Sequence, residues 1–96
     1  MALTYHLSSI AEREIAQIVE YIARDNLDAA LKLVDRFTHA FELLSANPEL
    51  GERYKHPDLH LRQFVVEKYL VTYQVAADQI IIVRVIHGAQ LFDEKH

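Results

Sequence analysis

The sequence predicts one α+β domain, in which an antiparallel helical hairpin packs on one face of a small antiparallel sheet. Three observations predict this fold class: an opening segment that alternates apolar and polar residues, two segments with helical periodicity, and a last third rich in Val, Ile, Tyr and Phe. The 96 residues suffice for one hydrophobic core and are too few for two. We therefore expect the order β-α-α-β-β-β in a single domain over residues 1–96.

The first strand and the first helix occupy the N-terminal quarter of the chain. Leu3 to Leu7 alternates as a strand with one buried face does. Ser9 and Glu12 have the spacing of a capping box, in which two side chains satisfy amides at a helix start. Asp25 and Asn26 then interrupt the helical pattern. The apolar stripe of this helix consists of Ala11, Ile15, Ile18, Val19 and Ile22.

The second helix has the more regular pattern. Asp25, Asn26 or Asp28 could supply its N-cap, and it should end near Ala46 because Asn47 precedes a proline. Its apolar stripe, in which both phenylalanines are interpreted as core residues, is Ala30, Leu33, Val34, Phe37, Phe41 and Leu44. Three leucines lie off that stripe and could be exposed to a partner: Leu27, Leu31 and Leu43.

A segment rich in helix-breaking residues and three strands follow the helices. The stretch from Asn47 to His60 holds both prolines and Gly51, and it should be a loop. Three β-rich segments come next, and they predict a meander of consecutive strands: Leu61 to Val66, Tyr69 to Val75 and Ile80 to His87. The run Ile80 to Val83 is apolar at odd and even positions alike, which suggests a central strand covered on both faces.

Composition and charge exclude several classes of protein. Ten basic and 14 acidic residues give a net charge of −4, which argues against coating nucleic acid through overall charge. The absence of cysteine excludes disulfides, thiol catalysis and Cys-based metal sites. Pro57 between His56 and His60 keeps the two rings off one helical face, so we expect no metal site and no cofactor. No apolar run reaches the roughly 20 residues of a membrane span, and a cytoplasmic location is expected.

An ordered series of short motifs runs through nearly the whole chain. Its members are Tyr5-x-Leu7-Ser8, Ala11-x3-Ile15-x2-Ile18-x2-Tyr21-Ile22, Ala29-Ala30, Asn47-Pro48-x2-Gly51, Leu61-Arg62, Tyr69-x3-Tyr73 and Val83-Arg84-Val85-Ile86-His87-Gly88. Taken together, the series resembles the ParE/RelE superfamily of bacterial type II toxin–antitoxin toxins. It is most similar to the ParE branch, whose members are often labelled plasmid stabilisation proteins, and the predicted element order matches the fold of that superfamily.

The resemblance implies a toxin that a small antitoxin wraps and neutralises. ParE-type toxins are described as inhibitors of DNA gyrase, whereas RelE-type toxins cut messenger RNA in the ribosome. The RelE branch uses Lys and Arg side chains on the sheet and a Tyr near the C-terminus. Gln90 lies where many ParE-like sequences carry an arginine, which is compatible with a weakened or diverged member. Leu70 stands where the RelE pattern has an arginine, Phe92 replaces the tyrosine, and Gly88, Ala89 and Gln90 stand where the RelE branch has basic residues. These departures disfavour ribonuclease chemistry and suggest a non-enzymatic toxin.

Six residues are the candidate partner-binding positions: Arg62, Tyr73, Arg84, His87, Gln90 and Phe92. A two-residue turn at Glu67-Lys68 would place Arg62 opposite Tyr73, where the arginine binds a partner carboxylate or only extends along the sheet margin. Arg84 interrupts an apolar strand and should pair with a carboxylate, preferably an internal one such as Glu12 or Glu14. A single histidine at the end of a strand, such as His87, is more often a hydrogen-bonding group than a catalyst.

The sequence therefore predicts a ParE-like toxin that binds and poisons DNA gyrase without being an enzyme and that a cognate antitoxin holds inactive. Direct binding of nucleic acid or membrane is not expected. Two alternatives stay open: a RelE-type ribosome-dependent endoribonuclease, and a diverged, non-toxic member that only binds its antitoxin. A homodimer and a toxin–antitoxin hetero-oligomer are both compatible with the sequence.

Overall fold

The computed structural model describes residues 3–53 and 60–88 as two helices lying on one face of a five-stranded sheet. The helices are α1 (Ser9–Asp25) and α2 (Leu27–Ala46). The strands are β1 (Thr4–Leu7), β2 (Glu52–Arg53), β3 (Leu61–Val66), β4 (Tyr69–Val75) and β5 (Gln79–His87). This order confirms the predicted α+β class. Neither helix among the described residues combines the length and apolar character that crossing a bilayer requires.

The sheet has the strand order β1-β5-β4-β3-β2 and is mixed. The meander of β3, β4 and β5 is antiparallel, as predicted, and β2 adds antiparallel to β3. Strand β1 instead pairs in parallel with β5. A parallel neighbour requires a long connection, which the helical hairpin and the other three strands provide.

The helix boundaries agree closely with the predicted ones, and one cap differs. Asn26 caps α2 by accepting a hydrogen bond from the Ala29 amide, and α2 ends at Ala46. The N-cap of α1 is Ser8 and not Ser9: the Ser8 hydroxyl accepts from the Ala11 amide at 3.0 Å and donates to the Val83 carbonyl at 2.8 Å. That second bond to the sheet favours Ser8 over its neighbour, and sequence spacing does not reveal it.

The core lies between the hairpin and one face of the sheet. Phe37 and Phe41 are buried and stack at 6.0 Å between ring centroids, as their periodicity predicted. Val34 was expected on the buried stripe but is 38 % exposed. The largest fully buried side chains belong mostly to the sheet: Tyr73, Phe37, Leu44, Ile80, Ile82, Val71 and Val85.

Strand β5 differs from its prediction in two ways. Ile80 and Ile82 are fully buried, but Ile81 is only half-buried because the described helices cover one face of the sheet, not both. In addition, a register shift opposite Thr72 and Tyr73 inserts one extra residue, Val83, into the ladder with β4.

The edge of β5 beyond the end of β1 is closed by α1. Ser8 donates twice at this edge, from its amide to the Ile82 carbonyl and from its hydroxyl to the Val83 carbonyl. Nearly two turns further along α1, the Glu14 carboxylate accepts from the same edge. Glu14 Oε1 accepts from the Val85 amide at 2.8 Å, while Oε2 accepts from Arg84 Nε at 2.9 Å and Nη2 at 2.7 Å. An unpaired strand edge invites pairing with other chains, and this carboxylate satisfies part of it within the molecule.

Replacing Glu14 by Gln should destabilise the fold. The amide group keeps one acceptor but presents a donor to either Arg84 or the Val85 amide, so at least one bond of a mostly buried carboxylate is lost. We expect the free energy of unfolding to fall by about 1–2 kcal/mol in urea titrations. Glu20→Gln, at an exposed position of the same helix, is the control and should change it by less than about 0.5 kcal/mol. Equal losses in both variants would contradict the role of Glu14.

Candidate functional site

Arg62 and Tyr73 form a clasp that holds the loop after α2 against the sheet. The two residues face each other in the β3–β4 ladder, as the turn at Glu67-Lys68 predicted. The Tyr73 hydroxyl accepts from the Gly51 amide at 2.9 Å and donates to the Pro48 carbonyl at 2.8 Å. Arg62 Nη1 donates to the carbonyl oxygens of Gly51 at 2.8 Å and of Glu49 at 3.3 Å. Both candidate partner-binding residues therefore bind the chain's own backbone.

Gly51 is required by this close approach. A Cβ atom at this position would lie 2.6 Å from the Tyr73 hydroxyl oxygen and 2.7 Å from the Gln63 carbonyl oxygen, which is closer than side-chain carbons approach. The clasp leads directly into β2, the short strand that sequence analysis assigned to a loop. The motif Asn47-Pro48-x2-Gly51 predicts a loop, but no local pattern shows that Tyr73 binds this loop.

Arg84 is held by α1. The structure confirms the preferred internal pairing, with Glu14 and not Glu12 as the partner, at 2.7 Å from Arg84 Nη2 to Glu14 Oε2. The arginine side chain is still 48 % exposed. Its guanidinium therefore lies at the edge of the sheet and remains accessible from outside.

His87 closes β5 beside an aromatic cluster. Its ring meets Tyr69 edge-on at 5.3 Å between centroids, and Tyr69 contacts Phe37 in turn at 5.5 Å. An open groove of about 510 Å³ runs beside it between α1 and the sheet. We call it the α1 groove; its main lining residues are Ile18, Tyr21, Ile22, Lys68, Tyr69 and His87. Glu14 and Gln17 also line it, so charges of both signs surround an apolar floor.

The candidate residues do not converge on one centre. Tyr73 and Tyr69 are four positions apart on β4, which separates the Arg62 clasp from His87 by about 13 Å along the strand. Arg84 lies between them and is bound to α1. Gln90 and Phe92 lie outside the described residues. The roles of all six residues in partner binding stay predictions.

The sheet face turned away from the described helices, here called the uncovered face, carries a row of apolar side chains, of which Val65 is exposed while Leu70 and Ile86 are half-buried. Val65, Leu70 and Ile86 face one another across β3, β4 and β5. The next row is Gln63, Thr72 and Arg84. Because side chains alternate along a strand, these residues point opposite to the buried Val71 and Tyr73.

Removing the Tyr73 hydroxyl should loosen the clasp. Tyr73→Phe keeps the buried ring but leaves the Gly51 amide and the Pro48 carbonyl without their partner. We expect the free energy of unfolding to fall by about 1–3 kcal/mol in urea titrations. Tyr21→Phe makes the same chemical change at a side chain that is 72 % exposed, and it should be nearly neutral. A neutral Tyr73→Phe would contradict the clasp.

Stability should also fall in alkali. Burial raises the pKa of both Tyr73 and Tyr69, with the Gly51 hydrogen bond and Arg62 opposing it at Tyr73. Unfolded tyrosines lose their protons near a pKa of about 10, so the stability these groups contribute is complete below that pH and is lost as pH rises through the folded-state pKa. Urea midpoints at about pH 8 and pH 11 measure this, and Tyr73→Phe should lose less stability over that range. An identical loss in the variant would exclude Tyr73 as a contributor.

Comparison with known proteins places this geometry in a family. The family model described as "ParE toxin of type II toxin-antitoxin system, parDE" matches residues 5–92. No curated protein sequence matches the chain. The chain does resemble solved structures, and at identities of 18–20% these show a shared fold.

Three such structures illustrate the likeness. One is the chromosomal ParDE toxin–antitoxin system from P. aeruginosa, with 19% identity, TM-score 0.75 and coverage of 90% of this chain and 96% of that chain. Another is the RelBE2 toxin–antitoxin complex from Mycobacterium tuberculosis, with 20% identity, TM-score 0.64 and coverage of 91% and 99%. A conserved hypothetical protein from Helicobacter pylori has 18% identity, TM-score 0.61 and coverage of 94% and 99%. Since the family model spans nearly the whole sequence, the chain belongs to the ParE toxin family of type II toxin–antitoxin systems.

Proposed function

We propose that this protein is a cytoplasmic toxin that acts by binding, that its target is DNA gyrase, and that a cognate antitoxin neutralises it. Membership of the ParE family supports the toxin role. The distribution of charge on the sheet supports binding over cleavage.

The observation that carries the proposal is the apolar row on the uncovered face. Metal-independent RNA cleavage needs cations around the reacting phosphate and a group that transfers a proton. Leu70, at the position where the RelE pattern has an arginine, lies between Val65 and Ile86. A phosphodiester placed there would meet aliphatic side chains, which give no electrostatic stabilisation to a phosphorane.

The other described cations of the sheet either bind groups of this chain or lie away from the row that contains Leu70. Arg62 donates to backbone carbonyls in the clasp, and Arg84 is paired with Glu14. Lys68 and His87 line the α1 groove, on the helix side of the sheet. Neither Lys68 nor His87 belongs to the row that contains Leu70. The net charge of −4 also opposes docking on ribosomal RNA.

The surface beside the hairpin supports an antitoxin partner. Tyr21 on the α1 groove is 72 % exposed, and Leu27 and Leu31 on α2 are 63 % and 55 % exposed. The two predicted off-stripe leucines are thus accessible, as is the third, Leu43, at 39 %. A segment that folds on binding could bury them by helix packing.

A RelE-type ribonuclease is the second candidate, because the RelBE2 complex shares the fold at a TM-score of 0.64. In this reading, Arg53 and the basic residues that come soon after it in the sequence, Lys55 and His56, would supply the missing charge.

Expression of the chain without an antitoxin should separate the candidates. We expect growth arrest with DNA damage, intact transcripts, and inhibition of gyrase supercoiling by the purified protein. Co-expression of the small protein encoded next to the toxin gene should restore growth. Discrete cuts in translated codons would establish the ribonuclease instead. Unimpaired growth and supercoiling would identify a diverged member that only binds its antitoxin.

A further inference from the structure

We propose that Asn26 is a hinge at which α1 and α2 can straighten into one helix, so that two copies of this chain exchange β1 and α1 in a domain-swapped dimer. Asn26 alone separates α1, of 17 residues, from α2, of 20 residues. Antiparallel helices are usually joined by about two to five residues. The inference is independent of the proposed toxin mechanism, because it concerns the purified chain alone.

The hinge residue already makes the backbone hydrogen bonds of a helical residue on both sides. The Asn26 amide donates to the Ile22 carbonyl at 2.9 Å, and its carbonyl accepts from the Ala30 amide at 3.1 Å. Its backbone angles, in contrast, are extended, with φ at −154° and ψ at 95°. An α-helix has about −63° and −42°. A rotation centred on this residue therefore joins the two helices into one over residues 9–46.

The composition of the junction allows a continuous helix. Residues 9–46 contain neither proline nor glycine, the two residues that most strongly weaken a helix. One side chain caps the start of α2, since Asn26 Oδ1 accepts from the Ala29 amide at 3.0 Å. Straightening loses this bond, but it lets the amides of Leu27, Asp28 and Ala29 donate to carbonyls of α1.

A second copy is the partner because β1 and α1 still need the sheet that they leave. In the closed chain, residues 4–7 pair with β5, Ala11 is fully buried, and Glu14 binds the Val85 amide. Straightening exposes these groups, and the sheet of another straightened copy offers them the same partners. Each copy then gives the other the contacts that the closed chain makes within itself, apart from those at the hinge.

The surface beside the hinge supplies a contact that the closed chain does not make. Tyr21, Leu27 and Leu31 lie within five positions of Asn26 and are 72 %, 63 % and 55 % exposed. In a swapped dimer, the end of α1 from each copy meets the start of α2 from the other. Both hinge segments therefore lie together at the two-fold axis, where apolar side chains can cover one another and favour the dimer.

The balance between the two forms depends on concentration. Within one chain, the effective concentration of the N-terminal segment at its own sheet is on the order of millimolar. The closed monomer should therefore dominate in dilute solution, and the dimer should form as the protein concentration rises. Exchange should be slow, because α1 has to leave the core before it can pack on another copy.

Replacing Asn26 by Ala tests the hinge. Asn26→Ala removes the cap of α2 and introduces the best helix former, and both effects favour the straightened chain. We expect it to dimerise in samples equilibrated between about 10 and 1,000 μM and analysed by sedimentation velocity. Its association constant should exceed that of the wild type at least about tenfold.

Asn26→Gly is the matched control. It removes the same side-chain hydrogen bond, but glycine weakens a continuous helix, so this variant should dimerise no more than the wild type. Asn26 is exposed, so neither substitution disturbs the core, and circular dichroism verifies that both variants fold.

A disulfide distinguishes exchange of segments from simple contact between two closed chains. The chain has no cysteine, and Thr4 of β1 pairs with Gln79 of β5. Paired residues of neighbouring strands lie within disulfide distance, so Thr4→Cys together with Gln79→Cys should link the two strands on oxidation. The bond lies within one chain in the closed monomer and joins two chains in a swapped dimer. A denaturing, non-reducing gel separates the two products.

With the cysteine pair added to Asn26→Ala, we expect covalent dimers from the dimeric fraction and bonds within single chains from the monomeric fraction. A dimeric fraction with bonds only within single chains overturns the proposal, because the copies then associate without exchange. Equal dimerisation of Asn26→Ala and Asn26→Gly overturns it as well. So does an Asn26→Ala chain that stays monomeric at every concentration.

Discussion

The hydroxyl group of Tyr73 has to find hydrogen-bond partners, because its side chain is completely buried in the middle of the sheet. The chain meets this requirement by bringing the loop after α2 onto the tyrosine, so that Gly51 donates to it and Pro48 accepts from it. The approach is so close that only glycine fits at position 51. Arg62 then binds the same loop from the neighbouring strand. One buried polar atom thus determines the position of the loop that connects α2 to the strands after it.

The fold places its chemistry on two different surfaces. On the helix side, the α1 groove joins apolar side chains of α1 to Lys68 and His87. On the uncovered side, aliphatic residues occupy the centre and charges the margins. The proposal that the chain acts by contact with protein, and not by breaking a phosphodiester, rests on these two arrangements.

The sequence predicted those features that depend on local pattern. The end of α2 at Ala46 follows from the proline two positions later, and the facing of Arg62 and Tyr73 follows from a two-residue turn. Features that depend on contacts between distant segments were missed. Nothing local distinguishes Ser8 from Ser9 as a cap, because the choice depends on the Val83 carbonyl. The clasp and β2 depend likewise on a tyrosine more than 20 positions away.

The extra residue at Val83 affects how the sequences of related proteins can be compared with this structure. Ile80 and Ile82 point into the core, and unbroken alternation would send Arg84 in after them. The bulge resets the phase, so Val85 takes the inward place and the guanidinium turns outward to Glu14. A homologue with a regular β5 would show the opposite set of side chains on each side of its sheet from that point onward. Residues in the same column of a sequence alignment would then lie on opposite sides of the sheet and contact different partners.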